Sequence, residues 1–403
     1  MNVAVEKNRF RNGMKTIKVS EAVWDSALDN NLANIIVRDN LNGKLITQDN
    51  HEFINMCSCS YLGLDVHPKL IEAAIDALRQ QNRLLLSISA IRIKTERQFQ
   101  AENILSEIFG GNVTTALSAS AASAGVLPLI ASGYFTKDVK PVMVFDKKSH
   151  FSMAYIKPIC ADETDVLTCE HNDLDFLEDV CKKHKQVAYI ADGAYSMGGC
   201  APVKELLALQ QKYGLFLYFD DAHSVSIIGE TGEGLVRSSM DEINDLTIIA
   251  GSLGKAFGAA GGYLTYNNPN WHHTIVRYGG PLGWSQPPNE PALGAIIASA
   301  EIHKTSELTT LQQKLNANVN YFDSKIITKD KGNGLPVRLI PIGCPDKTMA
   351  ISKELFRLGY YVAPVFFPGV PRGQDSIRIM IRADIATNDL DVIINTVKQY
   401  QLA

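Results

Sequence analysis

The chain has 403 residues, 46% of them hydrophobic and 20% charged, with a formal net charge of −4. That length allows two domains with substantial cores, and the slightly acidic balance excludes a general nucleic-acid binder. No apolar run spans a bilayer and residues 1–20 lack the apolar core of a secretory signal, so neither an integral membrane segment nor export is expected. The seven cysteines (Cys57, Cys59, Cys160, Cys169, Cys181, Cys200, Cys344) contain no Cys-x-x-Cys pair, and the nine histidines also miss metal-ligand spacing. Both point to reduced thiols in a cytoplasmic protein without a metal site.

Residues 1–55 are polar and mixed, with helical spacing over 20–33, and read as an N-terminal arm or small segment. Residues 53–56 alternate into Cys57-Ser58-Cys59-Ser60-Tyr61-Leu62-Gly63-Leu64, a strand end and turn, and His67-Pro68 opens a helix with apolar spacing over 70–78. A second amphipathic helix over 98–109 stops at Gly110-Gly111. A strand at 114–117 then runs into Ser118-Ala119-Ser120-Ala121-Ala122-Ser123-Ala124-Gly125. Small residues opening a helix there either leave backbone N–H groups as an anion site at the positive end of its dipole or simply permit tight packing.

Four more short apolar runs, at 141–145, 187–191, 215–219 and 246–250, each end in a polar cluster. The clusters hold Asp146 to His150, Asp192 to Ser196, Asp220 to His223, and Ser252 with Lys255. Amphipathic helices at 173–184 and 203–213 lie between the runs. This alternation predicts an α/β fold with a mostly parallel central sheet and helices on both faces, in which ligands bind at the carboxyl ends of the strands. Lys255 is a lone cation in a run of small residues. A partly desolvated amine of that kind forms Schiff bases with carbonyl compounds, and a solvated loop lysine is the alternative.

After about residue 282 the pattern changes. Pro287-Pro288 precedes a long helical stretch over 292–315, and strand and helix patterns at 337–342, 349–358, 361–365 and 377–381 predict a small α+β domain. The division expected is therefore 1–55, a large α/β domain over 56–290, and 291–403 with the linker helix and the small domain. Arg378 stands inside an apolar strand pattern and calls for a carboxylate, from a substrate or from an internal salt bridge.

Together the clusters supply an amine, a phosphate cradle, strand-end carboxylates and two histidines, the parts that hold pyridoxal phosphate. The ordered motifs are Ser60-Tyr61-Leu62-Gly63-Leu64, Ser149-His150, His171-Asn172-Asp173, Tyr195-Ser196-Met197, Asp220-Asp221-Ala222-His223, Ser252-Leu253-Gly254-Lys255-Ala256-Phe257-Gly258, and Val370-Pro371 before Ile377-Arg378. From about residue 35 to the C-terminus this set resembles the α-oxoamine synthases, pyridoxal-phosphate enzymes of fold type I. The resemblance implies that Lys255 is the Schiff-base lysine and α-proton base, and that Asp220 faces the pyridinium nitrogen. It implies that His150 stacks on the ring, His223 and Ser196 bond the ring hydroxyl, and Ser252 with the Ala119 and Ser120 backbone holds the phosphate. Arg378 would bind the amino-acid carboxylate. The implied reaction is a decarboxylative condensation of an amino acid with an acyl thioester, carried by coenzyme A or an acyl carrier protein, that releases an α-aminoketone. The implied assembly is a homodimer with its active site at the subunit interface.

Most of the chain's departures from the family sit where substrate is recognised. Cys59, at a substrate-binding position, stands where the family has Asn, and Ser60 replaces its Asp. Ser118-Ala119-Ser120-Ala121-Ala122-Ser123 replaces Ser-Gly-aromatic-Ala-Ala-Asn, and Arg83-Leu84-Leu85-Leu86-Ser87-Ile88-Ser89 replaces a glycine-containing segment. Ile385 stands for a histidine, and Trp284-Ser285 for a Ser-Thr pair. Leu84-Leu85-Leu86 suits an acyl tail or a core, and His223-Ser224 with Tyr195-Ser196 also occurs in branches using longer acyl chains. Two other readings are transamination or aldol-type cleavage with the same cofactor, and a non-catalytic partner subunit. The presence of Lys255, Asp220 and His150 weighs against the second.

Overall fold

In the computed structural model, which describes residues 13–41, 43–367 and 369–402, the apolar runs become one seven-stranded sheet. Its strands are β1 (Asn112–Ala116), β2 (Val142–Asp146), β3 (Val166–Cys169), β4 (Val187–Asp192), β5 (Phe216–Asp220), β6 (Thr247–Ser252) and β7 (Gly262–Tyr266). They lie side by side in the order β1-β7-β6-β5-β4-β2-β3. Strand β7 runs antiparallel to both its neighbours, and the remaining pairs are parallel. The strands read as continuous apolar runs because both faces are covered. Phe216 and Tyr218 join one core with the helix Ala119–Ala131 residues Val126, Leu127 and Ile130. Leu217 and Phe219 join the other, with Leu177, Val180 and Leu206 of helices Leu174–Lys183 and Val203–Tyr213.

Strands β3 and β7 were not among the sequence expectations. β3 is only four residues long and keeps Thr168 exposed, and β7, which carries the β-formers Tyr263, Thr265 and Tyr266, follows a run of small residues and is buried throughout, so it shows no alternation. The single helical stretch expected over 292–315 is two helices, Glu290–His303 and Ser306–Lys325. Thr305 makes the break: its N–H and hydroxyl both donate to Ile302 O, and its hydroxyl oxygen accepts the Glu307 N–H to cap the second helix.

The chain divides into two units. The larger takes residues 62–196 and 200–312 and contains the seven-stranded sheet. In the smaller, residues 13–61 and 197–199 belong with residues from 313 onward. The helical spacing read over 20–33 is the helix Gly13–Asp29. Strand Glu52–Asn55 pairs in parallel with Tyr360–Tyr361, so the N-terminal segment is built into the unit that carries the C-terminal elements. A second sheet sets Ser376–Met380 between Val337–Pro341 and Ala363–Val365, all antiparallel. Among the described residues no helix is long and apolar enough to cross a membrane.

Arg338, fully buried on strand Val337–Pro341, is held by Asp323 through Nε–Oδ1 and Nη2–Oδ2 contacts of 2.7 Å each. Removing one partner of such a pair strands a buried charge. Asp323→Ala is expected to destabilise the protein by about 3–5 kcal/mol, read from the urea midpoint of the smaller unit's unfolding. A loss below about 1 kcal/mol would show that the pair is solvated.

Candidate active site

The parallel register brings polar strand ends to one edge of the sheet. Asp192 and Asp220, the last residues of β4 and β5, are direct partners across the ladder, and Asp220 faces Ala250 of β6. Asp146 ends β2 on the other side of β4, and Ser252 ends β6. Asp146 is fully buried and accepts from the N–H groups of Lys148 and Asn172, the Tyr189 hydroxyl and His171 Nδ1. Burial pushes its carboxyl up, but the bonds from His171 and the two backbone donors outweigh that and hold it below the usual carboxylate range. Asp220 is buried and accepts the Ala222 N–H at 3.1 Å. Its neighbour Asp221, also buried, has its carboxyl pushed up to about 7 by desolvation, against hydrogen bonds from Ser224 and the Val236 N–H.

Lys255 sits half-buried on the loop after β6. The loop closes on itself, with Leu253 N–H donating to Gly261 O and Ala259 N–H to Leu253 O, while Leu253, Ala256 and Phe257 are buried. Gly258 turns the chain at φ +78°, and a Cβ there would sit 2.4 Å from Leu64 Cβ. The Leu62-Gly63-Leu64 motif thus packs under the lysine loop.

His150 follows β2. Its N–H donates to Asp192 Oδ1 at 2.8 Å, and its Nδ1 lies 2.8 Å from Ser152 Oγ. Desolvation lowers the imidazole pKa, Asp220 raises it and the Lys255 ammonium lowers it further. The charges of Asp220 and Lys255 therefore both reach His150. His223 is buried three residues beyond Asp220, and Ser196 is half-buried next to the buried Tyr195. The His171 ring meets Tyr195 edge-on at 4.6 Å.

At the start of helix Ala119–Ala131 the Ser118 side chain accepts the Ala121 N–H. The first-turn N–H groups of Ala119 and Ser120 have no acceptor within the helix, so they stand as donors at the positive end of its dipole. Gly262 of β7 lets the sheet approach that turn, since a Cβ there would lie 2.3 Å from Ala119 N. Ser252 Oγ accepts the Gly254 N–H at 3.2 Å, leaving its hydroxyl hydrogen available to donate.

Arg378 and Cys59 belong to the smaller unit. Arg378 is half-buried in mid-strand, with Nη1 4.0 Å from Met197 Sδ. Cys57 and Tyr61 sense the charges of both Cys59 and Arg378, and burial pushes the Cys57 thiol up to about 12. The Tyr61 hydroxyl donates to Met380 Sδ at 3.5 Å. The surroundings of Arg378 are thus rich in sulfur.

Lys255, Asp220, His150, His223, Ser196, Ser252, Ala119 and Ser120 all belong to the larger unit, where Asp220 and Lys255 act on His150; Arg378 and Cys59 belong to the smaller one, where both act on Cys57 and Tyr61. Sequence reasoning passed over Asp192, although as the last residue of a buried strand it occupies the same place as Asp146 and Asp220. Pyridoxal phosphate fits what is present. A helix N-terminus with two free N–H donors suits its phosphate, a buried carboxylate its ring nitrogen and a half-buried amine its aldehyde.

A family model described as aminotransferase class I and II matches residues 51–397. The chain is 30% identical over 372 residues to an 8-amino-7-oxononanoate synthase of Alkaliphilus metalliredigens, covering 89% of this chain and 88% of that one. It is also 30% identical to the enzyme of that name from Treponema denticola, covering 87% and 86%. Among solved structures, a lysine-to-alanine variant of serine palmitoyltransferase from S. paucimobilis with a bound pyridoxal phosphate–myriocin aldimine has a TM-score of 0.84 at 17% identity, over 97% of this chain and 99% of that one. An 8-amino-7-oxononanoate synthase from Francisella tularensis has a TM-score of 0.68 at 18% identity, over 87% and 99%. These two likenesses show the shared fold. The chain belongs to the aminotransferase class I and II family, and within it is a pyridoxal-phosphate-dependent enzyme of the α-oxoamine synthase type.

Proposed function

We propose that the enzyme joins an amino acid to an acyl-coenzyme A with loss of carbon dioxide, releasing free coenzyme A and an α-aminoketone, and that the residues gathered at the strand ends carry the reaction. The observation behind this reading is the convergence of Lys255, Asp220 and His150 beside an open helix N-terminus in the larger unit. Pyridoxal phosphate, when bound, supplies the electron sink for charge developing at the amino acid's α-carbon.

The chain's own residues do the rest. The Ala119 and Ser120 N–H groups and the Ser252 hydroxyl hold the phosphate by its oxygens. Asp220, a buried strand-end carboxyl, faces the pyridine nitrogen and favours its protonated form. His150 packs on the ring, and His223 and Ser196 hydrogen-bond its hydroxyl. Lys255 Nζ takes the α-proton, the α-carbon bonds to the thioester carbonyl carbon as the C–S bond breaks and the thiolate departs, and the bond to the carboxylate then breaks to release carbon dioxide while the α-carbon regains a proton. A thiolate leaves readily, which makes a thioester a suitable electrophile. Arg378, with Cys59 close by, takes the amino acid's carboxylate through its planar fork. In the segment before the second helix of the larger unit, Leu84 is 62% exposed and Leu85, Leu86 and Ile88 are half-buried, which supports a role for this segment in holding the acyl tail.

We also propose that the working form is a homodimer. The larger unit leaves Phe151 71%, Tyr278 69% and Trp284 67% exposed, large apolar side chains of a kind that mark subunit contacts. All seven cysteines are free thiols, in keeping with a cytoplasmic setting.

Three outcomes are expected. Lys255→Ala should remove the visible absorbance of the cofactor-loaded protein and lower condensation by about 10²–10⁴-fold or more; an unchanged spectrum would sink the lysine assignment. Thiol release from an acyl-coenzyme A should require an amino acid as second substrate. Keto-acid formation from the amino acid alone, with no dependence on the thioester, would move the enzyme to transamination. Light scattering should give twice the chain mass, with Trp284→Asp shifting the population towards the monomer; a monomeric wild type excludes the dimer.

A further inference from the structure

Two irregular loops carry residues assigned to neighbouring parts of the cofactor. His223 lies on residues 221–234, after β5, and Lys255 on residues 253–261, after β6. Pyridoxal phosphate bears its ring hydroxyl and its aldehyde on adjacent ring carbons, so the groups that serve them must be held at a fixed separation. Strands β5 and β6 pair directly, which fixes where the two loops begin but not how they continue. Further out, both meet the helix Glu290–His303: Val225, Leu253 and Phe257 share a core with Ile296 and Ala300 of that helix. Apolar burial of this kind is non-directional, so it holds the loops down without fixing how they are turned.

His303 supplies the direction. It is 2% exposed, and its ring stacks on Phe257 with centroids 4.6 Å apart and planes 29° from parallel. Both ring nitrogens are bonded: Nδ1 lies 2.8 Å from Ser299 O and Nε2 2.8 Å from Ser226 Oγ. A carbonyl oxygen only accepts, so Nδ1 carries the hydrogen, and the neutral ring accepts the Ser226 hydroxyl at Nε2. Burial pushes the imidazole pKa down to about 4, against the bond to Ser299, which keeps the ring neutral. Ser299 Oγ in turn donates to Phe257 O at 2.5 Å. On the other loop Ser226 sits at a left-handed φ of +69°, costly for a serine. It is held there by its N–H donating to Gly232 O at 2.7 Å and by Gln312 Nε2 donating to its carbonyl at 3.1 Å. A Cβ on Gly232 would stand 2.9 Å from His303 Cδ2, so the loop folds tightly over the ring. Phe257 follows Lys255 by two residues and Ser226 follows His223 by three.

We propose that His303 is a positioning residue for the cofactor: its ring clamps the His223 loop, through Ser226, to the Lys255 loop, through Phe257 and Ser299. This rests on the reading of His223 and Lys255 given above. Packing alone would be met by any side chain that fills the space, whereas the clamp needs a ring with a donor at one nitrogen and an acceptor at the other. Without the bond from Ser226 the His223 loop loses its directed tie to the lysine loop. The bond from His223 to the ring hydroxyl then weakens, while the phosphate contacts at the start of helix Ala119–Ala131 stay as they are.

The test uses the full chain with Ser226→Gly, which removes the hydroxyl at a φ that suits glycine, and His303→Phe, which keeps a ring on Phe257 and removes both bonds. Each protein is titrated with pyridoxal phosphate and with its analogue lacking the ring hydroxyl. The wild type should bind pyridoxal phosphate about tenfold more tightly than the analogue, the cost of one buried hydrogen bond left unmade. In both variants that preference should fall to about threefold or less. A variant that binds both ligands more weakly but keeps the wild-type preference would show a structural role only and overturn the proposal. A wild type that binds both alike would instead overturn the His223 assignment, and the clamp with it. In cofactor-free protein with labelled histidine, the His303 ring is assigned in NMR spectra by its change in Ser226→Gly. It should stay neutral with its hydrogen on Nδ1 from about pH 6 to 8, where an unperturbed imidazole titrates; a ring that protonates in that range also overturns the clamp. If His303→Phe does not fold, Ser226→Gly and this titration decide.

Discussion

The parallel register of the central strands is the constraint on which the candidate site depends. Because β2, β4, β5 and β6 run the same way and are buried on both faces, their first polar residues emerge at the same edge. Apolar side chains fill each strand interior, and the polar residues begin where the covering helices end. Asp192 and Asp220 end up opposite one another because Ala188 pairs with Phe216, four residues earlier, and the ladder has no bulge between. A shift of one residue would send these carboxyls into the opposite core. The position of the chemistry is therefore set by the packing of Phe216, Leu217, Tyr218 and Phe219 as much as by the polar residues themselves.

Around that edge the backbone supplies what side chains do not. The proposed phosphate cradle is a helix start whose first donors have no internal acceptor, brought close to the sheet by a glycine that adds no Cβ at the contact. The lysine loop is held by its neighbours: Leu253, Ala256 and Phe257 are buried, and Phe257 stacks on His303 with ring centroids 4.6 Å apart. Lys255 can be half-exposed and still fixed in place because the residues beside it are anchored. Electrostatics then separates the carboxyls by role. Asp146 is tied into a structural network with His171 and Tyr189, while Asp192 feels the charges of Asp220 and Lys255.

The departures from the family pattern concentrate in places with a different physical character. In the smaller unit, Cys57, Cys59, Met197 and Met380 surround Arg378 and Tyr61 with polarizable sulfur. In the larger unit, the segment with Leu84, Leu85 and Leu86 is irregular and only partly buried. These changes leave the strand-end carboxyls and the lysine loop untouched, whereas the departure at Ser118 to Ser123 falls in the helix start proposed to hold the phosphate.

Much of this was legible in the sequence because it is local. The apolar runs, glycine stops and helical spacing placed β2, β4, β5 and β6 and helix Val203–Tyr213 within a residue or two, and the polar cluster after each strand marked the edge where a ligand binds. The ordered motifs carried the family and with it the cofactor. Tertiary structure alone decided the rest. Strand β7 exists because two partners flank it, and Glu52–Asn55 joins the C-terminal unit through Tyr360–Tyr361, some 300 residues away. The break at Thr305 depends on hydroxyl bonds that helical periodicity does not register. Asp192 has no motif that distinguishes it from any other strand-end carboxylate. Its burial and its pairing across the ladder with Asp220 are properties of the folded neighbourhood, because the energy of a charge depends on what surrounds it in space and not on what precedes it in the chain.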